Sequence, residues 1–207
     1  METIIISLWG SRIVPDDIDV DFLKDFKNLI LAHIAKGKKF VIITGGGKTN
    51  SRYNEAARKL GNPLDKDLDW IGIASLKLNA ELVRVIFAEY ANTKVVENLS
   101  LPFAFEKSIV VGSAFEPGHS SDYDAILAAK NLGAKKIINL SNIDYVYDAD
   151  PKVNPNAKKI EQISWVDYRK IIPKEWTSRL SSPFDPTAAE AAEKESISVE
   201  DLVEKNQ

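Results

Sequence analysis

An α/β fold, a three-layer αβα sandwich with a mainly parallel central sheet, is predicted by two features of the 207-residue chain. Runs of β-branched and other apolar residues alternate with segments whose apolar residues recur at helical spacing, and glycine-containing turns fall where those runs end. Strands that are apolar throughout, rather than alternately, imply a sheet covered on both faces, with ligands at the C-terminal ends of its strands.

Each element follows from its residues. "TIIISL" (3–8) is a buried strand, and over 19–36 Val20, Leu23, Phe26, Ile30 and Ile34 share one helical face before Lys36-Gly37 closes the helix. "KFVIIT" (39–44) is the second strand, and "NSRYNEAARKLG" (50–61) is a helix stopped by Gly61. A long helix is predicted over about 70–91. "TKVVENL" (93–99) and "KSIVVGS" (107–113) are strands, "SSDYDAILAAKNLG" (120–133) is a helix capped by Ser120 or Ser121, and "AKKIINLS" (134–141) is a β-branched strand. Past residue 150, the proline, asparagine and charge of "DADPKVNPNAKKIEQIS" predict a loop with one short strand. A helix over 164–172 follows, then a loop kept ordered by the apolar surface of Trp176 and Phe184, a helix "TAAEAAEKE" and a weak strand "SISVE". Neither a repeat nor a low-complexity linker divides the chain, so 1–207 reads as a single domain.

Composition bounds the function. Apolar residues make up 44% and charged residues 28%, with a net charge of −3, which excludes a disordered chain and argues against a polybasic nucleic-acid surface. The absence of cysteine removes thiolate catalysis, thiolate metal sites and disulfides together, and the two histidines, His33 and His119, are isolated. A dedicated protein metal site is therefore not expected; a metal would be held by oxygen ligands and substrate phosphates. No apolar run reaches the roughly 18 residues of a membrane span, and "METIIISLWGS" lacks the basic flank of a signal peptide, so a cytoplasmic protein without a membrane partner is expected.

Three glycine turns follow strands: "LWGSR" (8–12), "TGGGK" (44–48) and "VGSAFEPGHSSD" (111–122). Gly47-Lys48-Thr49 is not a P-loop, because G-x-x-x-x-G-K-[ST] would need glycine where Ile42 stands, and Asn50 breaks the dinucleotide pattern G-x-G-x-x-G. Glycines let main-chain N–H groups approach anionic oxygens without a Cβ clash, and a helix N-terminus adds donors, so three such turns in one sheet point to a phosphate cradle. Plainer roles stay open for single residues. Asp122 could only cap its helix, Lys48 could be solvated, Asp144 could fix its turn by an Asx bond, and Trp70, Phe87 and Tyr90 suit a core.

The segment "LSNIDYVYDADPKVNPNAKKI" places Ser141-Asn142-x-Asp144 before Tyr147 and Asp150-Pro151. It resembles the T-N-x-D-G-V-Y-x-x-D-P segment with which amino acid kinases hold ATP. Together with "TGGGKT", "LDWIGIASLKLNA" and "PGHSSDYDAILAA", in that order, the chain from about residue 3 to about 190 is similar to the uridylate (UMP) kinase branch, in particular its archaeal type. The resemblance implies the amino acid kinase fold, an acceptor-binding part over about 1–130 and an ATP-binding part over about 131–207. It implies ATP with Mg2+ carried on its phosphates, UMP as acceptor, and a homo-oligomer, hexamer or dimer.

By the same resemblance, Gly10, Ser11, Lys48 and Asp122 are the catalytic candidates, with Arg12 and Arg52 as further cations. Gly46, Asp69, Gly72, Asn79, Phe115, Glu116, Pro117, Gly118, His119, Ser120 and Ser121 would bind UMP. Gly10, Ser11, Gly47, Arg52, Ser141, Asn142, Asp144, Tyr147 and Asp150 would bind ATP. The implied reaction is in-line transfer of the ATP γ-phosphoryl to UMP, and a phosphate oxygen, already anionic, needs no strong general base. The chain departs from the family pattern at Trp9, where G-G-S has glycine, at Ser51, at Leu76-Lys77 in place of Thr-Arg, and at Tyr145 in place of glycine. Two alternatives therefore accompany UMP kinase: a sister enzyme with another phosphate or carboxylate acceptor, and a catalytically impaired nucleotide-binding homologue.

Overall fold

A computed structural model describes residues 2–142, 146–148, 154–178, 180 and 182–201. At its centre β1 (Thr3–Leu8), β2 (Lys39–Thr44), β3 (Ile109–Gly112), β4 (Lys136–Leu140) and β7 (Ser198–Asp201) form one sheet in the order β3-β2-β1-β4-β7, parallel at every pairing. Alternate strand residues serve opposite faces, which is why the strands are apolar throughout. Ile5, Val41, Ile43, Val110 and Ile137 pack on one side against the alanines of α5 (Ser121–Leu132) and α7 (Pro186–Glu195). Ile6, Phe40, Ile42 and Val111 pack on the other against Leu23, Phe26 and Ile30 of α2 (Val20–Ile34) and Ala80 and Val83 of α4 (Asp65–Ile86). The result is the three-layer sandwich expected from the sequence.

Helix starts are set by side chains that satisfy the first free amides. Asp19 caps α2, Ser120 caps α5, Ser164 caps α6 (Trp165–Ile171), and Asp185 caps α7 with Pro186 just inside it. A short antiparallel hairpin, β5 (Val146–Tyr147) with β6 (Lys159–Ile160), supplies the one strand expected past residue 150.

Four expectations need correction. The long helix runs Asp65–Ile86 rather than 70–91, because Asp67 accepts from Leu64 N at its start and residues Phe87–Tyr90 tighten into turns. "TKVVENL" is not a strand; with Ala91 it touches β3 only through isolated bridges at Ala91↔Ile109 and Val96↔Gly112. The helix placed at 50–61 begins earlier, as α3 (Gly47–Leu60), so it opens directly from the glycine turn. The β1 turn itself forms one helical turn, α1 (Gly10–Ile13), absent from the sequence-based prediction. With all five strands parallel, the turns after β1, β2, β3 and β4 meet along one edge. Among the described residues no helix is long and apolar enough to cross a membrane.

Candidate functional site

The turns after β1 and β2 touch backbone to backbone. A Cβ on Gly10 would lie 2.0 Å from Gly47 N and 2.6 Å from Gly45 O, and a Cβ on Gly47, whose φ is +61°, would lie 2.3 Å from Gly10 O. Only glycine fits at this crossing. From the far side α4 grips the same turn: buried Asn79 donates from Nδ2 to Gly45 O (2.7 Å) and Gly46 O (3.3 Å), and a Cβ on Gly46 would meet Ser75 Oγ at 2.7 Å. Gly45 N and Lys48 N are bound to the carbonyls of Leu8 and Val14. The amides of Gly10 and Ser11, in the first turn of α1, and of Gly46 and Gly47, at the start of α3, have no intrahelical acceptor and are the natural partners of an anion.

A cleft of about 400 Å³ opens here, bounded by Trp9, Gly10, Ser11, Gly46, Gly47, Lys48, Asn50, Ser120, Ser121, Asp122, Asn142, Trp176 and Asp185, among others. Nine of the residues singled out in the sequence meet in it: Gly10, Ser11, Gly46, Gly47, Lys48, Ser120, Ser121, Asp122 and Asn142. Ser11 Oγ is buried and has no hydrogen-bond partner among the described residues. Lys48 is the only Lys or Arg among the lining residues described.

Asp122, 3% exposed, lies at the first turn of α5. Its Oδ1 accepts from Ser7 Oγ (2.8 Å) and from the indole Nε1 of Trp9 (3.2 Å), while its own N–H donates to the capping Ser120 Oγ. Burial pushes its carboxyl up from 3.8 to about 7; the charge of Asp185 adds to this, and the Ser7 and Trp9 hydrogen bonds oppose it.

Asp185 was not anticipated. Its Oδ2 accepts from both N and Oγ of Ser120, and its Oδ1 caps α7 at Ala188 N (2.9 Å), so one buried carboxylate ties the loop after β3 to the C-terminal helix. The available signal was Asp-Pro directly before an alanine-rich helix, an N-cap signature. Asn50 and Trp176 also line the cleft without having been selected, and Trp176 Nε1 is buried with no partner among the described residues.

The remaining predicted residues lie around this cleft or away from it. Asp69 Oδ2 accepts from Gly118 N (3.0 Å), joining α4 to the loop after β3, and Gly118 at φ +107° occupies a conformation that favours glycine. Phe115, Glu116, Pro117 and His119 belong to that loop; the His119 ring packs 4.6 Å from that of Tyr123 and 6.5 Å from that of Phe115. Beneath His119, Asp124 is buried and its carboxyl is raised, first by burial and then by the charge of Asp185. Gly72 faces the Asn50 side chain.

Ser141 is buried at the end of β4, and Tyr147 sits in β5. Arg52 is turned outward, where it pairs with Asp16 (2.9 Å) and Asp17 (3.6 Å), and it does not line the cleft. The Arg12 guanidinium stacks on Phe22 at 4.6 Å. Asp144 and Asp150 lie outside the described residues.

The family model of the amino acid kinase family matches residues 2–200. The chain belongs to the amino acid kinase family. It is 36% identical to the uridylate kinase of Pyrococcus abyssi over 190 residues, 90% of this chain and 83% of that one. It is also 36% identical to the uridylate kinase of Thermococcus onnurineus over 163 residues, 78% and 72% of the two chains. The crystal structure of the uridylate kinase from Archaeoglobus fulgidus superposes with a TM-score of 0.75 at 30% identity, covering 98% of this chain and 91% of that one.

Local packing accounts for most of the chain's departures from the family pattern among the described residues. Leu76 is buried beside Ile73 and Ala114, Lys77 pairs with Glu97 (2.9 Å), and Ser51 Oγ turns back onto Gly47 O (3.4 Å). Tyr145 lies outside the described residues, and Trp9 points its indole N–H at the Asp122 carboxylate.

Proposed function

We propose that the chain transfers the γ-phosphoryl group of ATP to the 5′-phosphate of UMP, giving UDP and ADP. The observation that carries this reading is the crossing of Gly10 with Gly45 and Gly47: two amide-rich turns in van der Waals contact above a buried carboxylate suit two phosphates that must approach each other. The 36% identity to a uridylate kinase over 90% of the chain favours UMP as the acceptor. In this reading the chain up to about residue 130 holds the acceptor and the remainder holds ATP.

Catalysis then rests on position and charge. Amides of Gly10, Ser11 and Gly47, with the Ser11 hydroxyl and the Lys48 ammonium, receive the oxygens of the transferring phosphoryl, where negative charge is spread in a loose transition state. The acceptor phosphate lies on the Gly46 side. Asp122 orients this cradle and takes no proton from an acceptor that is already anionic. Mg2+ would arrive on the ATP phosphates and neutralise part of their charge; among the described residues no cluster of three His, Cys, Asp or Glu is placed to hold a metal ion.

ADP formation at fixed ATP, measured across UMP, other nucleoside monophosphates, isopentenyl phosphate and acetylglutamate, tests the assignment. UMP is expected to turn over fastest. A different best acceptor would convert the reading to a sister kinase, and nucleotide binding without turnover would mark an impaired homologue. Asp69→Ala removes the acceptor of the Gly118 amide and is expected to raise the KM for UMP about tenfold with the KM for ATP within about twofold. Equal changes in both would remove Asp69 from the acceptor side.

A further inference from the structure

Trp9 is joined to the site in two ways. Its backbone is pinned, since its N–H donates to Leu140 O (3.0 Å) across the β1–β4 seam and its carbonyl accepts from Arg12 N (2.9 Å) as the N-cap of α1. With the main chain held, the side chain lines the cleft, and its indole Nε1 reaches Asp122 Oδ1 at 3.2 Å across 113 residues of sequence. Ser7, one strand position back on the same face of β1, meets the same oxygen at 2.8 Å.

We propose that Trp9 is a positioning residue for phosphoryl transfer: its indole N–H, with the Ser7 hydroxyl, fixes the Asp122 carboxylate using neutral donors in place of a cation. The inference rests on the kinase reading above. Anchoring one carboxylate oxygen twice sets the rotamer, and so sets where the second oxygen lies relative to the phosphates.

The surroundings oppose ionisation of Asp122, so the donors that reach its carboxylate matter. Asp122 is faced by Asp185 from the α7 cap, Asp201 from β7, Asp124 from its own helix and the Tyr168 phenol from α6. Lys48 of α3 lines the same cleft, and no ion pair between it and Asp122 is present. Burial and the charges of Asp185 and Asp201 favour the protonated acid, and two hydrogen bonds to the ionised oxygen oppose them. A glycine at position 9, as in the family pattern, would leave Ser7 as the one side-chain donor to Asp122 among the described residues. The indole that departs from the family pattern is thus part of how the Asp122 carboxylate is held.

The test compares wild type with Trp9→Phe, which keeps an aromatic ring and loses the donor, and Trp9→His, which restores an N–H. Trp9→Phe is expected to lower kcat for UDP formation about tenfold with both KM values within about twofold, and to move the acid limb of the pH–rate profile upward. Trp9→His is expected to recover part of kcat at pH 8. In a second measurement, the indole 15N–1H resonance lost in Trp9→Phe should shift with pH in wild type and stop doing so in Asp122→Asn. Unchanged kcat and pH profile in Trp9→Phe, a change confined to KM, or an indole resonance indifferent to Asp122 would each overturn the proposal. Failure of the kinase reading is distinguishable, because wild type itself would then form no UDP.

Discussion

Asp122→Asn is expected to cost UDP formation about 100-fold while making the protein more stable above pH 7. The two effects have one cause. In the folded chain the Asp122 carboxyl is raised from 3.8 to about 7, so between those values the native state binds a proton that the unfolded chain releases. The stabilising contribution of that proton is fully present below about pH 4 and is lost as pH rises through 7, beyond which an ionised carboxylate is held buried at a cost. Asparagine keeps the shape and an oxygen for Ser7 and Trp9 but cannot ionise. Urea unfolding should therefore show the variant stabilised by roughly 2–4 kcal/mol at pH 8 and by far less at pH 4. An equal shift at both pH values would mean that Asp122 is not the group that titrates. Activity should follow the opposite course in wild type, with a rise through pH 7 as the carboxylate forms. The site is held in a state that the fold alone would not choose.

Gly10→Ala is expected to destabilise the protein by about 3 kcal/mol or more and to abolish activity, because the new methyl would stand 2.0 Å from Gly47 N and 2.5 Å from Gly45 C, and backbone atoms cannot step aside as a side chain can. The β1 and β2 turns would have to separate, and with them the two groups of amides that flank the crossing. Gly61→Ala is the internal control: Gly61 caps α3 in an extended conformation and a Cβ there meets nothing within 4 Å, so its effect should stay within about 0.5 kcal/mol. Denaturant midpoints and UDP formation measured on both variants separate a specific crossing from a general sensitivity of glycine. If Gly10→Ala matched Gly61→Ala, the two turns would not be in the contact described.

The layered fold was legible because its signals are local. Strand runs such as "KFVIIT" need burial on both faces wherever they lie, and Ser120 caps a helix in any context that lets the chain turn there. Where the prediction slipped, a tertiary contact outweighed a local preference. "TKVVENL" has strand-forming residues but pairs with β3 in a single isolated bridge, at Val96, and α3 takes Gly47 as its first residue where the β1 turn presses against it.

For the site, glycine turns and strand ends located most of the cleft, since backbone approach to an anion requires those residues at those places. Arg52, one helical turn beyond Lys48 and on the same side of α3, is drawn instead into ion pairs with Asp16 and Asp17 on the surface, a tertiary contact that the sequence could not show. Asp185, 63 residues beyond Asp122, and Trp176 could not be placed without the fold.

By itself the sequence determined a parallel α/β sandwich, glycine turns at the ends of its strands and the ruling out of a P-loop at "TGGGKTN", where Ile42 stands in place of the required glycine. Those properties depend on residue type and spacing along one stretch of chain. Only the tertiary structure decided that Gly10 and Gly47 touch, that Asp185 gathers Ser120 and α7, and that Trp9 points to Asp122 rather than into the phosphate turn. Each of these joins segments tens to more than a hundred residues apart, and the direction of a side chain at such a junction is set by the backbone that the whole sheet has already fixed.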